Sequence, residues 1–535
     1  MSLGRAAGVA LIGLNGSIVD VEADIGGGLP GFVLLGLPDA SLAESRDRIR
    51  SAARNSGVPL SPRRITVNLV PASLPKRGSS FDLAIVVAAL AAAGDISSPP
   101  GVVFIAELGL DGCLRPVSGV LPSVMACVAA GRPRVVVAAE NHAEASLVPG
   151  ADITSHRHLA EVLGRFGADP HSLRQPAAAR RAETANGRPS TGGATPGRAA
   201  PDRTASDRAA LDRSAPDMAD IVGQLEARYA LEVAAAGGHH LLLMGPPGAG
   251  KTMLAERLPG ILPDLTDTEA METTAVHSLG GGQRGLDRLL RRPPFESPHH
   301  SASMVALIGG GSGLPRPGAA SRAHRGVLFL DEAPEFAAKA LDSLRQPLES
   351  GRLTLHRAAG AATYPARFQL VLAANPCPCG LSTGKGIDCT CTPMQRRRYL
   401  DRLSGPLLDR IDLQIGVPRV AAVQLRGGVR AEDSAAVGAR VAAARELQRA
   451  RLDPLGLSRN ADLPGTLLRG ELALPPAVTA GADRELDRGR LTARGYDRVL
   501  RIAWTVGDLA RHDRPSAGDV DVALQLRQHA KGETP

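Results

Sequence analysis

At 535 residues the chain is too long for one core, and domain sizes of roughly 100 to 200 residues point to about three units. No apolar run reaches the ~18 residues a membrane span needs, and the N-terminus lacks a charged stretch followed by an apolar one, so a membrane protein is excluded and a cytoplasmic one expected. The net charge of +8 invites a nucleic-acid partner, but eight Arg against four acidic residues at 170–216 supply half of it. With aromatics at 2 % of the chain, any grip on DNA rests on phosphate contacts rather than stacked bases.

Residues 1–167 alternate β-type runs (Val9 to Leu14, Gly31 to Leu37, Arg64 to Val70, Val102 to Leu108, Arg134 to Ala138) with helical ones (Ser41 to Asn55, Phe81 to Ala93, Ser123 to Ala130), the pattern of a compact α/β domain. Pro75-Lys76-Arg77-Gly78-Ser79-Ser80 resembles the segment of Lon-type proteases that carries their serine nucleophile, with Ser80 on that serine. A Ser-Lys dyad also needs its lysine. The Lon position after Pro116-Val117-Ser118-Gly119 is occupied by Leu121, and no lysine occurs between Lys76 and Lys251. The domain is therefore expected to be Lon-like in fold and inactive as a peptidase, with Ser80 an ordinary helix-start hydroxyl.

Residues 168–216, rich in Ala, Arg, Pro, Gly, Ser and Thr, cannot bury enough apolar surface to offset their ordering entropy and are expected to be a flexible tether. The next unit, residues 217–417, opens with Ile221 and Val222, a pair placed to flank adenine, and a helix through Ala236. The apolar strand Leu241–Met244 then runs into Gly245-Pro246-Pro247-Gly248-Ala249-Gly250-Lys251-Thr252, the spacing of a phosphate-binding loop between strand and helix. Glycines at both ends let backbone N–H groups turn toward phosphate oxygens, Lys251 reaches the β- and γ-phosphates of ATP, and Thr252 holds Mg²⁺. After the Met253 to Leu258 helix comes an irregular stretch, Gly280 to Gly313, with Arg291, Arg292, Phe295, His299, His300 and Gly309-Gly310-Gly311. A loop of that length is functional or disordered. Adjacent histidines point apart, so solvent-facing or loop-structuring roles are expected of His299 and His300.

A second apolar strand, Gly326 to Leu330, ends in Asp331 and Glu332, placed to bind Mg²⁺ through water and to polarise the attacking water. Phe336 to Glu349 reads as a helix. Arg352 to Leu355 and Ala366 to Ala374 read as strands bracketing the insert Arg357 to Pro365. Asn375, at the strand end, orients the attacking water or senses the γ-phosphate, or else simply begins the turn before Pro376. Cys377, Cys379, Cys389 and Cys391 place four thiols within fifteen residues, a set able to close a tetrahedral Zn²⁺ site; oxidised pairs or spare thiols are the other readings. Ser404 to Asp412 ends the nucleotide-binding core. Residues 418–535, with helical periodicity at 430–452, 484–490 and 496–530, form a small helical lid.

Together these features resemble a P-loop AAA+ ATPase of the magnesium-chelatase-like branch, with a parallel-sheet core, a Lon-like α/β domain and a helical lid. More narrowly, Pro298 to Ser303, Leu344 to Glu349, Asn375 to Gly380 and Arg402 to Asp412 resemble the ComM/YifB family, over nearly the whole chain except the tether. The resemblance implies that Arg410 enters the neighbouring subunit's site as an arginine finger and Arg494 senses nucleotide from the lid. It also implies that the loop around His299 and the insert around Arg357 face the pore of a ring, a hexamer. Glu296 stands where the family has a basic residue, and Thr492 where it has Ser. The implied function is an ATP-driven ring motor on single-stranded or branched DNA, a branch-migration helicase of natural transformation. A metal-chelatase motor subunit is the alternative, and an ATP-dependent protease the third.

Overall fold

The computed structural model describes residues 3–36, 40–76, 78–174, 216–280, 286–311, 315–357, 360–382, 388–420 and 431–528, so most of the expected tether lies outside the described residues. Its first seven positions do not behave as tether. Ala168 is buried, and the Arg174 N–H reaches the Ser56 carbonyl at 2.9 Å.

The N-terminal sheet has seven strands: β1 (Gly4–Ile12), β2 (Asn15–Gly26), β3 (Gly31–Leu35), β4 (Arg64–Val70), β5 (Val102–Ile105), β8 (Arg134–Ala138) and β9 (Asp152–His156). The small hairpin β6 (Glu107–Leu108) and β7 (Leu114–Arg115) lies between the fifth and sixth of these. The order is β3-β4-β2-β1-β5-β8-β9, with β2 antiparallel to both its neighbours and the other pairs parallel. Alternation along β1 divides the core. Ala6 and Ala10 pack with the Asp82–Ala93 helix on one face, and Ala7 and Val9 with the Val120–Ala129 helix on the other. The Asp82–Ala93 helix is apolar all round and buried from Asp82 to Ala92, as a central helix must be.

The second sheet is wholly parallel, β11 (Phe295–Glu296), β14 (Val327–Leu330), β17 (Gln369–Ala374), β10 (Leu241–Met244) and β18 (Leu413–Gly416) in that spatial order. It is buried on both faces, which is why its strands read as unbroken apolar runs. Leu241, Leu243, Phe329, Val371 and Ile415 face the Leu225–Gly237 and Lys251–Ile261 helices. Leu242, Leu328, Leu330, Leu370 and Leu372 face the opposite layer. The helices Ser434–Leu452, Pro476–Asp487, Ala493–Leu509 and Ala517–Gln528 form the C-terminal bundle, with Val437, Val441 and Ala444 packed on the first layer. The two sheets meet through the Asp267–Leu279 helix. There the Ser278 carbonyl accepts from the Gly119 N–H at 3.1 Å, and the Ser278 hydroxyl donates to Glu144.

Several expected elements differ. Phe336 to Glu349 is not one helix but two short ones, Ala338–Ser343 and Arg345–Ser350, and Pro347 explains the poor continuity. The strand expected at Arg352 to Leu355 runs on to Arg357, and the expected insert Arg357 to Pro365 holds its antiparallel partner, so that β15 (Arg352–Arg357) and β16 (Gly360–Pro365) form a separate hairpin. A further short hairpin joins β12 (Gly309–Gly310) to β13 (Arg316–Pro317). The periodic stretch 484–490 is only the end of the Pro476–Asp487 helix, and 496–530 breaks into two helices on either side of Pro515. No described helix is long and apolar enough to cross a membrane.

Candidate active site

β10 delivers the loop Gly245–Thr252 to the carboxyl edge of the parallel sheet, beside the ends of β14 and β17. Gly245 passes so close to Val417 that a Cβ there would lie 2.2 Å from its carbonyl oxygen. Gly250 holds a left-handed φ of 87° at the start of the Lys251–Ile261 helix, a conformation that favours glycine. Gly248 faces open space: an added Cβ would meet nothing within 4 Å.

Lys251 is buried, and its ammonium donates to the Gly245 carbonyl at 2.7 Å, the Pro246 carbonyl at 3.0 Å and Asn375 Oδ1 at 3.0 Å. Burial pulls its pKa down while Asp331 and Glu332 push it up, and burial prevails. The Thr252 hydroxyl donates to Asp331 Oδ2 at 2.6 Å, which puts two hard oxygen donors side by side, the pairing that suits Mg²⁺. The glycine-lined loop with its lysine fits a nucleotide triphosphate equally well. Pro246, Pro247 and Ala249 contribute backbone rather than side chains; Ala249 is buried, and its carbonyl accepts from Gln224 Nε2 at 2.6 Å.

Glu332 sits in the left-handed region, φ 49°, and turns the chain out of β14. Non-glycine residues there are uncommon and gather at functional sites. Its carboxylate meets His300 Nδ1 at 3.2 Å. His299, exposed and bonded to Ser301 at 2.8 Å, has the solvent-facing, loop-structuring role expected from sequence. The two rings do not point apart: their centroids lie 4.0 Å from each other with a 34° tilt, and His300 engages the candidate general base.

Asn375 and the two carboxylates are brought together with Lys251; Arg410 and Arg494 are not shown touching them. The Arg410 guanidinium is drawn onto Glu349 and the Pro406 carbonyl of its own chain. Arg494 lies exposed on the first turn of the Ala493–Leu509 helix. Thr492 caps that helix, accepting from the Gly495 N–H at 3.1 Å, so the hydroxyl serves where Ser was expected. Glu296, in place of a basic residue, takes Arg322 in a two-pronged ion pair at 2.8–3.1 Å. Ile221 is fully buried in the core, and Val222 is the exposed one of the pair. Ser80 lies in the turn Ser79–Phe81 with no side-chain cap hydrogen bond at that helix start, and Leu121 is buried with its N–H on Glu144 at 3.1 Å.

Sequence reasoning missed three residues here. Gln224, left-handed at φ 48°, ties the phosphate loop to the Pro418 carbonyl at 3.3 Å as well as to Ala249. His300 was noticed but not its partner. Tyr399 is buried beside the Asn375 backbone amide, its phenol pushed up to about 12 by burial and by nearby Glu335. Nothing local in the sequence marks these contacts, since each joins elements far apart in the chain.

Residues 217–425 match the family model described as magnesium chelatase, subunit ChlI; residues 21–141 match that of subunit ChlI of Mg-chelatase, and 431–527 that of the ChlI C-terminal part. The chain is 48% identical over 532 residues to an uncharacterised protein of Mycobacterium tuberculosis, covering 99% of each chain. It is 40% identical to YifB of Escherichia coli, over 98% of this chain and 97% of that one. With competence protein ComM of Haemophilus influenzae it shares 41% identity, over 95% and 94%. A shorter stretch of 144 residues is 31% identical to Lon protease 2 of Bacillus subtilis, 26% of either chain.

Proposed function

The chain belongs to the ComM/YifB family of magnesium-chelatase-like AAA+ ATPases, and from that premise we propose that it is an ATP-hydrolysing ring motor that acts on single-stranded or branched DNA as a branch-migration helicase during natural transformation. The observation that carries the ATPase half is the convergence of Lys251, Thr252, Asp331 and Asn375 at one sheet edge. ATP and Mg²⁺ supply a phosphoanhydride and the charge that stabilises its displaced oxygens.

Lys251 and the loop N–H groups bind the phosphates, and Thr252 and Asp331 hold the metal. Glu332 takes a proton from the attacking water, and Asn375, already hydrogen-bonded to Lys251, orients that water. Arg410 completes the site of the next protomer in a hexamer, and Arg494 reports nucleotide to the lid. Function in trans requires Arg410, 14% exposed and paired with the more exposed Glu349, to leave that partner for a phosphate of the next protomer's site.

For DNA, support comes from one exposed surface. A Cβ on Gly310 would lie 3.0 Å from the Arg357 guanidinium and 3.1 Å from Val305, so the loop after the His pair and the hairpin tip lie together, with Met304 and Val305 exposed. Arg357 meets phosphates there, and the exposed apolar side chains meet sugar and base faces. The test is ATP-dependent migration of a synthetic four-way junction by the purified chain. Lys251→Ala and Glu332→Gln should abolish it; active turnover that moves no DNA structure overturns the DNA half.

The competing chelatase-motor reading draws on the family models, which match the N-terminal domain as well as the core and lid. A large partner that co-purifies with the chain, in the absence of DNA affinity, would favour it. The protease reading has a buried Leu121 where a lysine is needed, and it predicts peptide cleavage that Ser80→Ala removes.

A further inference from the structure

Four cysteines stand apart from the phosphate chemistry, yet both arms of their cluster end on it. Their four sulfurs all lie within 4.8 Å of one another. Cys377 Sγ is 3.4 Å from Cys379 and 3.7 Å from Cys389, and Cys379 is 3.7 Å from Cys389. Four thiolates around a tetrahedral Zn²⁺ at ~2.3 Å give sulfur–sulfur edges of ~3.8 Å, whereas a disulfide needs about 2.05 Å. The distances are those of ligands to one ion.

We infer that Cys377, Cys379, Cys389 and Cys391 hold one Zn²⁺ ion as thiolates, and that this ion braces the ATP site by fixing Asn375 and the phosphate loop. The second half rests on the ATPase reading above. The first arm of the brace is short. Asn375, bonded to Lys251, lies two residues before Cys377, and one residue after Cys379 comes Gly380, left-handed at φ 74°. Gly380 packs on the loop so closely that a Cβ would lie 2.4 Å from Pro247 Cδ.

The second arm runs through a helix. The Cys391 carbonyl accepts from Arg396 Nε at 3.3 Å, and Thr392 caps the Pro393–Leu400 helix by a reciprocal pair with Gln395. That helix carries Tyr399, buried against the Asn375 amide. One ion therefore fixes the side of Asn375 that faces the cysteines and, through Tyr399, the side that faces the helix.

Binding takes a proton from each thiol and ties Cys379, Cys389 and Cys391, none of them fully buried, to the buried Cys377. Releasing the ion lets Asn375 and Pro247 drift. Misplacement of a positioning group by about 1 Å lowers turnover by up to ~100-fold.

The experiment uses the full chain purified under reducing conditions. Elemental analysis should find one zinc per chain, and cobalt substitution should give the visible bands of a tetrahedral tetrathiolate. Cys389→Ser/Cys391→Ser should lose the metal and about tenfold or more of ATP turnover. Cys391→His, which keeps four ligands, should retain most of both. Stripping wild-type protein with a zinc-selective chelator and restoring zinc should lower and then recover turnover, which separates loss of the ion from misfolding of a variant. Zinc well below one equivalent in the reduced wild type overturns the site. Zinc lost with turnover and nucleotide affinity unchanged overturns the brace. A zinc-loaded wild type that hydrolyses no ATP contradicts the ATPase reading and leaves the metal site standing.

Discussion

His300 decides which oxygens of the candidate general base are free. Its imidazole Nδ1, 3.2 Å from one carboxylate oxygen of Glu332, occupies that oxygen and keeps it from the attacking water. His300→Ala frees that oxygen, so steady-state turnover without DNA should rise several-fold while nucleotide affinity stays unchanged. A fall in turnover would instead make His300 part of the working site. At this scale the sequence was most legible where function needs a contiguous string: the loop Gly245–Thr252 and the Asp331–Glu332 pair stand where their spacing put them. His300, Gln224 and Tyr399 were not legible as site residues. Each earns its place by a contact across tens or hundreds of positions, and one sequence records no such pairing.

Among the elements, the lid grips the segment that carries Arg410. Arg498, on the Ala493–Leu509 helix, donates to the Arg410 carbonyl at 3.1 Å and to the buried Asp412 carboxylate; Arg527 donates to the Ile411 and Asp412 carbonyls at 2.8 and 3.0 Å. Burial alone would raise the Asp412 carboxyl, but the Arg498 charge and the hydrogen bond with His239 hold it well below the usual range. Arg498→Ala takes the guanidinium from that buried carboxylate and leaves it only His239 and the His240 N–H as partners. Chemical denaturation should show a loss of about 3–5 kcal/mol, and turnover should fall as the Arg410 backbone loosens.

Next to it, His240 Nδ1 accepts from the Leu370 N–H at 3.0 Å, a bond only the neutral ring can make. Burial carries its pKa down to about 4. The unfolded chain takes up that proton near pH 6.5, roughly the free histidine value, so the contribution to stability is full above 6.5 and is lost as pH falls toward 4. The thermal midpoint should drop across that window, and His240→Asn, which keeps an acceptor, should flatten the slope.

Elements with signals of their own were readable, and two were overlooked despite having them. β2 alternates buried Val19, Val21 and Ala23 with Asp20, Glu22 and Asp24, so one face is apolar even though the stretch looks charged. The Asp267–Leu279 helix announces itself by Thr266 and Glu269, which cap each other reciprocally. The β15–β16 hairpin is only half legible: the alternation in Arg352–Leu355 marks a strand, but says that one face is covered, not by what, and its partner β16 lies in the expected insert Arg357 to Pro365.

For the whole molecule, the account stands on a site shared between protomers. Arg410 lies on its own chain's Glu349, and the phosphate loop of the same chain has its lysine, threonine, carboxylates and asparagine without it. The assembly is what a single chain leaves unwritten, because the contact joins two copies. The most direct measurement mixes two dead variants, Lys251→Ala and Arg410→Ala, each inactive alone, and follows ATP turnover under conditions where rings form. In a randomly mixed ring about a quarter of the interfaces pair an intact phosphate loop with an intact finger from the neighbour, so turnover should return to about that fraction of wild type. A mixture that assembles and stays inactive, or an Arg410→Ala chain that hydrolyses ATP at the wild-type rate by itself, would contradict it.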